Sequence, residues 1–321
     1  MKGLLTKERL PMLATVVVCV LLYVASGMAF PGFFSPRVAV NFLDDNAFLG
    51  VIAVGLTFVI ITGGIDLSVG SVAGASSILT AVLIHRHGVH LVAAMAAGAG
   101  FGLVLGLVHG VLIARFKLTP FLVTLGGLFL ARGVALAISR ESVQIDDPLV
   151  ATLASEGIKF AKGVTLTWNG IAFLLFVVLG IVVARQTRFG RTVYAIGGNP
   201  TSVGAMGLPV TVTLVKVYAC SGLCAGLGGV MFATYTASGN ALSGTGLELD
   251  AIAAVVIGGT LLTGGYGSVV GTLFGVLTLG IIQTAITFQG TLSSWWSKIV
   301  IGALLLMFVL IQKGIERTGR E

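Results

Sequence analysis

Apolar residues run in long blocks along this chain, separated by short polar or glycine-rich breaks. The blocks fall near 11–29, 47–62, 66–84, 91–114, 119–138, 168–184, 214–236, 249–263, 266–288 and 296–312. At roughly 16 to 24 residues they match the length of a bilayer-crossing helix, whereas a membrane barrel would show short alternating segments. The pattern predicts an all-α polytopic membrane protein with about ten transmembrane helices. Only two stretches outside the blocks are long, 139–167 and 185–213. With no compositional boundary between them, one transmembrane domain over 1–321 is expected.

Composition strengthens this reading. Apolar residues make up 56% of the 321 and charged residues only 10%, and the mean hydropathy is +1.06. The first block follows Lys2, Lys7 and Arg9 and lacks a small-x-small cleavage site, so it reads as a retained signal anchor with a cytoplasmic N-terminus. Alternating from there puts Arg115, Lys117, Arg185, Arg188, Arg191, Lys313, Arg317 and Arg320 on the cytoplasmic side. Asp44, Asp45, Glu141, Asp146, Asp147 and Glu156 fall on the other. This positive-inside bias predicts an even span count, with both termini cytoplasmic. The net charge of +7 then reflects topology and anionic lipid, and does not argue for nucleic acid.

The second and third blocks carry a sequence related to that of the eighth and ninth. At an offset of 201 residues, Ala53/Ala254, Val54/Val255, Thr62/Thr263, Gly63/Gly264, Gly64/Gly265, Val69/Val270, Gly70/Gly271 and Gly74/Gly275 coincide. An internal repeat of two hairpins is expected, parallel by the span count and inverted if one span is miscounted, and paired glycine-interrupted spans point to a transport pathway. Asp66 matches Gly267, so its carboxylate belongs to one copy only. Gly98, Gly102, Gly106 and Gly110 line one helix face, and Gly267, Gly271 and Gly275 another. Such ridges let helix backbones approach closely in lipid.

Within TGGIDLSVGS, Asp66 is expected to open the third helix, its carboxylate accepting from the backbone of Ser68 or Val69 and facing the positive end of the helix dipole. Capping is one role for it. A gate hinged at Gly63 and Gly64 is the other. In the 185–213 segment, Asn199 can cap, Pro200 suits a first helical turn, and Gly207 with Pro209 ends the run. A helix of about two turns is predicted there, too short to be stable without a docking partner.

FLGVIAVGLTFVIITGGIDLSVGS, TRFGRTVYAIGGNPTSVGAMGL and ELDAIAAVVIGGTLLTGGYGSVVGT together resemble the permease subunits of bacterial sugar ABC importers of the ribose and galactose type, over nearly the whole chain. NAFLGVIAVG, RESVQIDDP, GLELDAIAAVVIGGTL and FQGTLSSWWSKI look most like the galactofuranose-type permease. The resemblance implies the ABC importer permease fold in an inner membrane. It also implies a cytoplasmic ATPase, a second permease (a related chain or another copy) and a periplasmic sugar-binding protein. Arg188, Gly190, Gly197, Gly198, Asn199, Gly204 and Gly207 then belong to the element that couples to the ATPase. Relatives commonly carry acids after GGN, where this chain has Pro200, Thr201 and Ser202, a departure that bears on the polar details of that contact and not on its existence.

The chain lacks a G-x-x-x-x-G-K-[ST] phosphate loop, H-E-x-x-H and G-x-S-x-G, so it is not expected to be an enzyme or to hold a cofactor. ATP and magnesium would be bound by the partner ATPase. The rival reading is an ion-coupled secondary transporter or channel. It is disfavoured because few ionisable groups lie deep in the blocks: Asp66, His109, Arg132 and Asp250. For sugar contact, the available set is Asn46, Tyr235, Asn240, Gln283, Gln289, Trp295 and Trp296, the tryptophans equally suited to anchoring at the membrane interface. Asp66, Gly63, Gly64, Ser68, Asn46, Tyr235, Asn240 and Gln283 are the candidate pathway and gate residues. Cys19, Cys220 and Cys224 are expected as buried thiols, and His85, His87 and His90 as a solvated loop cluster and not a metal site.

Overall fold

The apolar blocks become helices whose order and packing are described by a computed structural model of residues 10–318 other than Ser294, with side chains over 12–310. Lys2, Lys7, Arg9, Lys313, Arg317 and Arg320, which carry part of the charge asymmetry, lie outside the described side chains. The helices are α1 (Leu10–Ala29), α2 (Pro36–Asp45), α3 (Ala47–Ile61), α4 (Val69–His85), α5 (Leu91–Arg115), α6 (Pro120–Ile138) and α7 (Pro148–Ser155). They continue with α8 (Trp168–Gln186), α9 (Arg188–Gly198), α10 (Pro200–Ala205), α11 (Val210–Tyr235), α12 (Leu247–Ile257), α13 (Val269–Gln289) and α14 (Trp295–Thr318).

Among the described residues, α1, α5, α6, α8, α11 and α13 are long and apolar enough to cross a bilayer. A seventh span is formed if α2 and α3, bent by 54° at Asn46, are taken together. Helix α4 and the Trp295–Leu310 part of α14 are shorter apolar helices. The block expected at 249–263 is an 11-residue helix followed by a glycine turn. Ten apolar blocks thus give helices, but not ten full-length spans.

The 139–167 segment is folded. It holds α7 and an antiparallel hairpin of β2 (Gly157–Ala161) and β3 (Val164–Thr167), while β1 (Val143–Gln144) pairs with β4 (Ser238–Gly239). Asp44 anchors this cap to the bundle: its carboxylate accepts from the Thr167 N–H at 3.1 Å and the Thr167 hydroxyl at 2.8 Å.

The core gathers around α3, whose residues Leu49 to Ile61 are all buried. Helix α5 packs on α11 through the Gly98–Gly110 ridge. A Cβ on Gly102 would strike Gly222 O and Gly226, and one on Gly106 would strike Tyr218 O; Gly222 reciprocates against Gly102 and Gly106. The ridge is therefore used inside the chain. Close approach of two glycine faces gains dispersion contacts that lipid cannot match. Gly271 and Gly275 do the same for α13 against Ala254 of α12 and Gly258 at its end.

The two copies of the repeat run in the same sense, since their turns meet at one end of the bundle: Gly265 N–H donates to Ile61 O at 2.8 Å. Their packing differs. Helices α12 and α13 form an intimate hairpin, whereas α3 and α4 hardly touch because α11 is wedged between them. Where α13 presents Gly271 and Gly275 to its own hairpin partner, α4 presents Gly70 and Gly74 to the loop before α12, against Gly244 O and Ser243 O.

The cysteines divide. Cys19 and Cys224 are buried as expected, but Cys220 is exposed on the outer face of α11. A stretch that is apolar on every face does not reveal which face turns inward.

Candidate functional site

The sequence TGGIDLS fills the turn between α3 and α4, and its glycines set its path. Gly63 adopts φ +78°, which an L side chain disfavours. Gly64 leaves room for the Tyr218 hydroxyl. The turn brings Asp66 inside, 1% exposed. One carboxylate oxygen accepts from the Ser68 N–H at 3.0 Å and the Ser68 hydroxyl at 2.6 Å. The other accepts from the Ser221 hydroxyl of α11 at 2.9 Å. The expected bond to Ser68 N–H is therefore present, but Asp66 stands two residues before the helix N-cap, which is Ser68. Instead of only closing α4, its carboxylate ties the turn to α11.

The ties extend further. His109 of α5, also buried, has Nδ1 3.5 Å from Ser68 Oγ. The Tyr218 hydroxyl donates to Ile65 O at 3.4 Å, and so does the Thr124 hydroxyl of α6 at the same distance. Helix α6 can come this close because a Cβ at Gly127 would collide with the His109 ring. One seven-residue turn is thus held by polar groups from α5, α6 and α11. Six residues separate His109 from Arg115, so at about 1.5 Å rise the network sits about 9 Å inside the basic end of α5.

The matching turn of the second copy, 258–268, lies against the first. Gly264 has φ +84° and Gly265 φ +77°, and the Thr57 and Thr272 hydroxyls hydrogen-bond at 2.7 Å between the copies. Helix α9 sits on this junction. A Cβ on Gly197 would collide with both Ile61 O and Gly265 N. The Tyr194 hydroxyl donates to Gly267 O at 2.8 Å, and burial raises its pKa above the ordinary value. Gly190 permits the sharp approach of α9 to the end of α8, at Val183 O and Ala184 O. Arg188 and Arg191 are exposed beside it.

The predicted short helix after Asn199 is α10, six residues long, with the Asn199 side chain accepting from Ser202 N–H at 3.0 Å. Gly207 ends it at φ +76°. Its outer surface is small: Gly204, like Gly198 at the end of α9, faces open space, and Met206 just after it is 68% exposed. Sequence reasoning missed the 11-residue α9, since the basic run that opens it reads equally well as a loop.

Away from the glycine turns, three of the four proposed pathway residues gather at the break between α2 and α3. Asn46 is buried there, donating to Phe42 O at 3.1 Å, and the backbone of α13 at Gly280 passes directly over its amide. Gln283 lies one turn further along α13. Tyr235 donates to Asp45 at 2.8 Å. Asn240 stands apart, accepting from Leu242 N–H at 2.8 Å within its own loop. Trp295 is 75% exposed, as an interface anchor would be. Among the described residues no group of three metal-ligating side chains is close enough to hold an ion.

The family described as "Branched-chain amino acid transport system / permease component" matches residues 38–309. The chain belongs to this family of ABC transporter permeases. It is 49% identical to the inner membrane ABC transporter permease protein YjfF of Escherichia coli, over 96% of this chain and 93% of that one. It is 35% identical to the fructose import permease protein FruG of Bifidobacterium longum, over 99% and 94%. Against the ribose import permease protein RbsC of Bacillus subtilis it is 37% identical, over 88% and 87%. No solved structure matches the chain. The permease is thus a multi-pass membrane protein of the sugar ABC transporter class and not an enzyme. Sequence reasoning missed Ser221 and Tyr218 as partners of its conspicuous aspartate. Their spacing, i and i+3 on α11, puts them on one helix face, but nothing local says that this face meets the 62–68 turn.

Proposed function

We propose that this permease forms the translocation pathway of an ATP-driven monosaccharide importer in a bacterial inner membrane, as one transmembrane domain with both termini cytoplasmic. Galactofuranose or a related sugar is the substrate. ATP and magnesium are held by a separate cytoplasmic ATPase, and a periplasmic sugar-binding protein delivers the cargo. The sugar names of the relatives and the galactofuranose-like motifs support this assignment. A second, related permease completes the pathway. That pairing rests on the family resemblance, since the glycine ridges are used within the chain.

The observation that carries the mechanism is the junction of α9 with both glycine turns. In this reading α10 docks on the ATPase and α9, rooted at Gly197 and Tyr194, transmits its movement to the joined turns. The buried Asp66 network then opens or closes the cytoplasmic end of the pathway. Asn46, Tyr235 and Gln283 line the route at the other end, and Asn240 holds the adjoining loop.

Affinity purification from native membranes, followed by uptake assays in vesicles, tests the assembly. We expect an ATPase and two permease species to co-purify, and uptake to need ATP. Uptake driven by an ion gradient without ATP would replace this reading with the secondary-transporter one. Recovery of a single permease species would replace the heteromer with a homodimer.

A further inference from the structure

Between α13 and the start of α14, at the end remote from the glycine turns, lies a cleft of about 500 Å³. Its wall differs from the apolar surroundings. Gln283, Thr287, Ser297 and Lys298 open onto it, with Ile286 as an apolar side. Lys298 Nζ is 2.5 Å from Asp250 of α12, whose side chain is largely buried while that of Lys298 is half exposed. Ser297 is only 7% exposed. Among the described residues, neither the Gln283 amide nor the Ser297 hydroxyl has a side-chain hydrogen-bond partner. Thr287 donates to Gln283 O at 2.9 Å, which leaves its oxygen able to accept.

Polar side chains that no other side chain engages, gathered around one concavity, form a surface that a ligand can use. The Lys298–Asp250 pair, one turn from the exposed Trp295, adds a charged edge to the cleft. The set suits a polyhydroxylated ligand. An amide and a hydroxyl both donate and accept, as a sugar hydroxyl does, while Lys298 donates to a ring or hydroxyl oxygen and Ile286 faces C–H groups. The cleft lies close to the α2–α3 break: Gln283 is one turn from Gly280, whose backbone covers the Asn46 amide.

We propose that this cleft, centred on Gln283 and Ser297 with the Lys298–Asp250 pair at its edge, is a monosaccharide-binding subsite at the end of the pathway remote from the glycine turns. It rests on the importer reading above, and it assigns binding roles to Thr287, Ser297 and Lys298, with Asp250 holding Lys298 at the edge.

The test uses the complete importer purified from native membranes, reconstituted with its binding protein, and labelled D-ribose, D-fructose, L-arabinose and D-galactose, which in water includes its galactofuranose ring form, offered separately. If the wild-type importer takes up none of them with ATP, the importer reading fails and the subsite fails with it. With one of them imported, Gln283→Leu and Ser297→Ala should each lower the maximal import rate about tenfold at wild-type membrane levels. Neither change disturbs the core, because Gln283 is part-exposed and Ser297→Ala removes one atom. Independently, the imported sugar should slow methanethiosulfonate labelling of Ser297→Cys at least about threefold, which mannitol should not do. Import rates within about twofold of wild type in both variants, or labelling unaffected by the sugar, would overturn the subsite and leave the importer reading standing.

Discussion

Replacing Asp66 separates a structural role from a moving one. In Asp66→Ala, three buried donors lose their acceptor: the Ser68 N–H, the Ser68 hydroxyl and the Ser221 hydroxyl. The two hydroxyls can rotate toward nearby carbonyls, but the N–H cannot. An unsatisfied buried donor costs about 1–3 kcal/mol, so a loss of about 2–4 kcal/mol is expected once partial rescue of the hydroxyls is allowed for. That exceeds the roughly 1 kcal/mol of a simple helix cap, because the carboxylate also holds the turn to α11.

Asp66→Asn is the informative change. Its carbonyl oxygen keeps both bonds from Ser68, and its amide can donate to Ser221 Oγ once that hydroxyl turns round. The hydrogen-bond count survives, and stability should fall by no more than about 1 kcal/mol. A charge is lost, however, and with it the ability to accept at both oxygens. If Asp66 exchanges partners as the turn moves between inward-open and outward-open states, the amide will favour one state. Import by Asp66→Asn should then fall about tenfold or more, which corresponds to about 1.4 kcal/mol of bias between states. Apparent unfolding temperature in detergent and ATP-dependent uptake in proteoliposomes measure the two effects separately. A well-expressed Asp66→Asn permease with near-normal uptake would refute the gate and leave only the anchor.

Two further substitutions probe the coupling unit from opposite sides. Gly197→Ala must push α9 away from backbone atoms of both turns and strain the Gly265 to Ile61 bond, so it should lower stability by about 1–3 kcal/mol in a thermal-shift assay; a variant as stable as wild type would show that α9 is not seated on the junction. Gly204 faces open space, so Gly204→Trp should insert and fold normally yet uncouple ATP hydrolysis from uptake, and normally coupled uptake would argue against a tight fit of α10 in the ATPase.

Much of this permease was legible from its sequence because the bilayer demands helices of one length and leaves backbone groups no other way to pair. Hydropathy therefore located the helical blocks, although α12 is shorter than its block. The Asn199 cap, the Gly207 stop and the Asp66 bond to Ser68 were equally legible, since each depends on residues two to eight apart. What the sequence could not assign was which faces meet. Helices that are apolar all round carry no inward-facing stripe, and in lipid the choice of neighbour rests on shape and a few polar groups far apart in the chain. Tertiary structure alone placed α11 between α3 and α4, so that two copies of one sequence pattern pack differently. It also brought Ser221 to Asp66 across 155 positions and turned the Gly98–Gly110 ridge inward. The same packing set α9 upon both glycine turns, where Gly197 has no space for a side chain.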